Sequence, residues 1–131
     1  MKSTLVLPLL FSGCASEVSQ YQLVLDQYAQ SASNGHLQTT LTGSALRQAM
    51  ESQKLLVELG WQQLGSSSFT ETRISGANQV VSCLDVSSVQ FFDSQGEEVT
   101  IDRPIQKLLM QVDFTPSTPK LISQIQEVGR C

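Results

Sequence analysis

The sequence predicts an α+β domain in which two N-terminal helices pack on one side of an antiparallel sheet. Two observations carry this. Apolar residues recur at helical spacing as far as Leu59, and beyond Gly60 they recur at strand spacing between turn residues. A sheet of such strands has to cover its apolar face, and the helices that precede it are the elements able to do so.

The first helix starts near Val18, with Tyr21, Leu25, Tyr28, Ala29 and Ala32 on one face, and Asn34-Gly35 reads as its stop. Thr42 or Ser44 is placed to cap a second helix that runs to Leu59. Its expected inner face holds Leu46, Ala49, Met50, Gln53, Leu56 and Val57, and Gly60 ends it. Residues 61–64 make a short strand, and Phe69, Thr70, Thr72 and Ile74 mark a longer one. Gly76-Ala77-Asn78 turns that strand into a long partner over residues 79–93. This partner does not keep one alternation, so a bulge or bend is expected near Ser87-Ser88. Ser94-Gln95-Gly96 is a turn, and residues 99–101 are a short return strand. Residues 105–115 form the next strand, with Leu108, Met110, Val112 and Phe114 sharing a face. A loop between Pro116 and Pro119 leads to the last strand, at residues 121–128.

The chain opens with a short apolar run ending in Leu-Phe-Ser-Gly-Cys at residues 10–14, behind a single cation, Lys2. Ser12 and Gly13 are the small residues an export peptidase requires beside its cut. The segment resembles a bacterial lipobox, with Phe11 where the pattern usually has an aliphatic residue. That resemblance implies a signal peptide over residues 1–13, lipid on the Cys14 sulfur, and anchoring to the outer face of the cell membrane. The alternatives are an ordinary secreted protein cut after Ala15 and a cytosolic chain with an apolar first turn. The apolar run is too short for a transmembrane helix, which needs roughly 20 residues.

Cysteines stand at 14, 83 and 131. Lipidation would consume Cys14 and leave an even number in an oxidising compartment. Cys83 and Cys131 then either join, closing a loop of roughly 50 residues worth about 4 kcal/mol in chain entropy, or remain as two free buried thiols. Neither Cys-x-x-Cys nor Cys/His ligand spacing is present, so no metal is expected. No cofactor is expected either. The formal net charge of -4 and the scarcity of clustered Lys and Arg argue against nucleic acid. Residues 14–131 are read as one domain with its own core.

At Val80-Val81-Ser82-Cys83-Leu84-Asp85, followed by Asp93-Ser94-Gln95-Gly96, the chain resembles small lipoproteins of Gram-positive actinobacteria that carry a nuclear transport factor 2-like domain. Cys14, Thr42-Gly43 and Cys131 fit the same pattern. One departure is Thr-Pro-Lys-Leu in the last hairpin, where relatives often place a tryptophan after a glycine turn. The resemblance implies a cone of curved antiparallel sheet wrapped on helices, closed by a Cys83–Cys131 bridge. It says little about activity, because this fold hosts enzymes, binders and assembly modules alike.

Enzymes of this fold use an Asp or His base facing a cavity. Carried onto this chain, that logic selects Asp85 with Tyr21 or Tyr28 as candidate cavity residues. His36, the one histidine, reads as an exposed loop residue. Tyr21, Tyr28 and Trp61 would line a ligand cleft or belong to the core. No phosphate loop, activated-serine motif or telling carboxylate pair is present, and Glu97-Glu98 reads as a solvated strand end. The expected function is therefore a surface-anchored, non-catalytic binding or assembly module. Its partners would be the membrane, through the lipid, and an envelope protein. The alternative is a small-molecule binder or isomerase-like enzyme that uses the interior of the cone.

Overall fold

The computed structural model describes residues 17–31 and 39–131. The signal-like segment with Cys14, the helix stop at Asn34-Gly35 and the loop histidine His36 lie outside the described residues. Helix α1 covers residues 17–31, and Tyr21, Leu25 and Ala29, one helical turn apart, are its buried stripe.

Helix α2, Gly43–Leu59, begins and ends where the sequence places it. Gly60 takes a left-handed φ of 72°. Its N–H donates to the Val57 carbonyl at 3.1 Å, and the Trp61 N–H donates to that of Leu56 at 2.9 Å. At the other end Thr42 is the N-cap residue, but its side chain makes no cap bond. The Ser44 hydroxyl instead donates to the Ser123 carbonyl at 3.1 Å, which ties the helix start to the sheet. The expected inner face holds only in part. Ala45 is buried, Leu46 and Ala49 pack at the edge of the core and Leu56 is half-buried, but Met50 and Val57 are exposed. The reason is placement: α2 meets the sheet chiefly along one edge strand, so only a narrow stripe of the helix is covered.

Seven strands follow: β1 (Gln62–Leu64), β2 (Ser68–Gly76), β3 (Gln79–Asp85), β4 (Gln90–Phe92), β5 (Glu98–Val99), β6 (Lys107–Phe114) and β7 (Ile122–Arg130). They form a four-stranded antiparallel sheet, β2-β3-β6-β7, and a three-stranded one, β1-β4-β5. The fold is thus α+β, two helices followed by curved antiparallel sheets. The long strand expected over residues 79–93 is two strands in two sheets. Its break falls at the expected bend, where the Val89 N–H turns back to the Val86 carbonyl at 3.1 Å. The Arg103 guanidinium clamps this corner, donating to the carbonyls of Val86 (3.2 Å) and Val89 (2.6 Å).

A second irregularity lies in β2, where the register steps from Thr70↔Cys83 to Arg73↔Val81 around Glu71, a non-glycine residue at φ 55°. The bulge turns Thr72 inward, and its hydroxyl meets Gln22 of α1 and the Ser82 hydroxyl. Ser82 is fully buried and also lies within donor reach of the Thr70 carbonyl, while the Gln22 amide donates to the Phe69 carbonyl at 2.9 Å. This network satisfies the buried hydroxyl and fastens α1 to the bulge. Apolar packing closes around it: Leu25, Val80, Val112 and Ile122 are fully buried, and the Tyr21 and Phe114 rings lie 4.7 Å apart. Val112 and Phe114 are buried on the face the alternation predicts, with Met110 packed beside them.

Cys83 on β3 is bonded to Cys131, with the two Cα atoms 5.8 Å apart. The two cysteines are therefore joined, and not free thiols.

Candidate functional site

A cleft of about 340 Å³ opens between α2 and the sheet. Its helix wall is Ala45, Gln48, Ala49, Ser52, Gln53 and Leu56, which helical spacing brings to one side. Met110 of β6 and Ile125, Gln126 and Glu127 of β7 form the opposite wall, and Tyr28 and Gln63 complete the lining. Two alanines on α2 leave room that larger side chains would fill. The lining mixes apolar side chains with amides, hydroxyls and one carboxylate. Gln126 is already engaged, its carbonyl oxygen accepting from Gln124 at 3.2 Å. Glu127 is the one charged side chain on the walls. Burial pushes the Tyr28 phenol above its ordinary pKa, so it faces the cleft as a neutral group at physiological pH.

Of the three candidate cavity residues, only Tyr28 lines this cleft. Tyr21 is buried against Phe114, with the Lys120 ammonium 5.5 Å from its ring centre. Asp85 sits at the end of β3, opposite Ser68 and Lys107, away from the cleft. Its carboxylate accepts the Ser87 N–H at 2.9 Å and shapes the corner that leads to β4. Trp61 packs half-buried against Phe91, their ring centres 6.1 Å apart, next to the smaller sheet. The structure therefore does not bring Asp85 and a tyrosine together. Sequence reading passed over Gln48, Ser52, Gln63, Gln126 and Glu127. One signal was available: small and polar residues, Ala45, Gln48, Ala49 and Ser52, stand on the side of α2 where a filled core would carry leucine.

Asp85 supplies a pH test of its local role. Its hydrogen bonds from Ser87, side chain first and then backbone, hold its pKa below the ordinary carboxylate value, with Lys107 adding to the effect. A depressed folded-state pKa contributes stability above the unfolded pKa, and this contribution is lost as pH falls through the folded value. Denaturant midpoints should therefore favour the native chain over Asp85→Asn at neutral pH. The two curves should converge in acid, below the ordinary carboxylate range. An equal gap at both pH extremes would show that the carboxylate charge plays no part.

Among the described residues no group of His, Cys, Asp and Glu is arranged to hold a metal ion, and no helix is long and apolar enough to cross a membrane. Comparison with protein-family models, curated proteins and solved structures finds no match for this chain.

Proposed function

We propose that this chain is an exported lipoprotein, held by lipid on Cys14 at the outer face of the cell membrane, whose nuclear transport factor 2-like domain is a non-catalytic binding module of the cell envelope. The observation that carries this reading is the cleft beneath α2. Its walls set the amides of Gln48, Gln53, Gln63 and Gln126 and the Ser52 hydroxyl among apolar side chains, a surface suited to holding a partner. Two of the three residues selected as an acid–base set stand apart from the cleft: Asp85 is committed to the Ser87 corner and Tyr21 to the core, which leaves Tyr28 and Glu127 as the titratable side chains on its walls. Tethering raises the effective concentration of such a module near envelope proteins, so modest affinity suffices.

The test is site-specific crosslinking of the anchored protein in its own cells. A photoreactive residue at Ser52, in the cleft, should capture an envelope protein that the same residue at Ser87 does not. Recovery of no protein from Ser52, together with a metabolite co-purifying in the cleft, would overturn the reading in favour of a small-molecule binder.

A further inference from the structure

The flank of α2 beside the cleft carries two exposed apolar side chains, Met50 (53 % exposed) and Val57 (79 %). With Gln53, Lys54 and Glu58 they border a shallow groove on the protein surface. Beside them runs a row of charges, Arg47, Glu51, Lys54 and Glu58, spaced so that all four share one flank of the helix. None of the four makes a hydrogen bond or ion pair among the described residues, although Arg47 and Glu51, like Lys54 and Glu58, stand one turn apart.

The order of signs is plus, minus, plus, minus. Read from the other end it is the inverse. Two α2 helices laid antiparallel therefore set Arg47 against Glu58 of the second copy, and Glu51 against Lys54, in both directions at once. A parallel, in-register pair would set like against like. We propose that this outward face of α2 is where two copies of the chain associate, antiparallel, with Met50 and Val57 buried along the seam. Such an arrangement is isologous, so it closes as a dimer and does not extend into a fibre. The helix is about 25 Å long at 1.5 Å per residue, and one helix seam covers less than the roughly 1,600 Å² of a standard stable interface. The association is accordingly weak and reversible. Ala45, Ala49 and Leu56 line the cleft and not the groove, and Gln53 borders both.

Sedimentation equilibrium on the full chain carrying Cys14→Ser, which removes any contribution of the lipid, reads this directly. The chain should pass from monomer to dimer with concentration, and added salt should weaken the dimer. Lys54→Glu creates two like-charge contacts per dimer and should raise the dissociation constant about tenfold. Adding Glu51→Lys to Lys54→Glu sets opposite charges against each other across the seam again and should recover the native value. Val57→Asp should abolish association, with circular dichroism confirming that this exposed site leaves the fold intact. The proposal is overturned by a chain that stays monomeric, by a dimer indifferent to these substitutions, or by a charge swap that does not restore. Capture of a different envelope protein through Val57 by a chain that stays monomeric would also overturn it.

Discussion

Gly65→Ala should destabilise the protein by about 2–5 kcal/mol, the sum of a left-handed backbone cost and a steric one. Gly65 lies between β1 and β2 at φ +76°, a conformation that L side chains rarely adopt. A Cβ built there would lie 2.1 Å from the Ser88 carbonyl oxygen, closer than any real contact, and the atom it meets is backbone. Ser88 cannot easily yield, because it belongs to the corner that Arg103 clamps and that turns the chain from one sheet into the other. The strain should fall on the β1–β4 pairing, where Leu64 lies opposite Gln90. Gly96→Ala is the control. Gly96 has φ +79°, yet its added Cβ would meet nothing within 4 Å, so only the backbone cost, roughly 1–2 kcal/mol, applies. Urea midpoints of the two variants measure the difference. Equal losses would mean that the close approach of Gly65 to Ser88 does not constrain the corner.

That corner also shows what the sequence concealed. Val80 to Asp85 and Gln90 to Phe92 read as one apolar run, and the irregular alternation marked a bend at the serines. Periodicity reports which way a side chain points along its own strand. It carries no information about which neighbour that strand pairs with, so the change of sheet was invisible. The bulge at Glu71 escaped for a related reason: Thr70 and Thr72 look like an ordinary alternation until Glu71 inserts itself with positive φ. The end of α2 was legible because Gly60 has few conformational competitors. The inner face of α2 was only half legible. Met50 and Val57 follow helical spacing as well as Leu46 and Leu56 do, and nothing local says that the sheet supports only one side of the helix. In the candidate site, Tyr28 was legible as an amphipathic aromatic on a core-facing stripe. The glutamines were not, because a polar residue at the rim of a cleft looks the same in sequence as one on open surface.

Breaking the Cys83–Cys131 bridge should cost about 4 kcal/mol, the chain-entropy value for a crosslink across a sequence separation of 48 residues. Reduction and Cys131→Ser should lower the urea midpoint equally, since each frees the same loop and leaves Cys83 as a buried, weakly polar thiol. The loss should not spread evenly. Beyond Ile122 the strand β7 buries little, and its residues from Glu127 to Arg130 are exposed. They are held by the ladder to β6, which already slips register between Leu109 and Met110. The bridge fixes the residue just past this stretch to β3, two strands away, so its removal should let the end of β7 fray first. Amide hydrogen exchange at Gly129 and Arg130 should accelerate by more than at Val112, in the centre of the neighbouring strand. Ile125, Gln126 and Glu127 form the β7 wall of the cleft, so the same fraying should loosen one side of the binding surface while α1 and β3 keep their protection. An unchanged midpoint in the reduced protein, or uniform acceleration across β6 and β7, would show that the bridge does not anchor this edge.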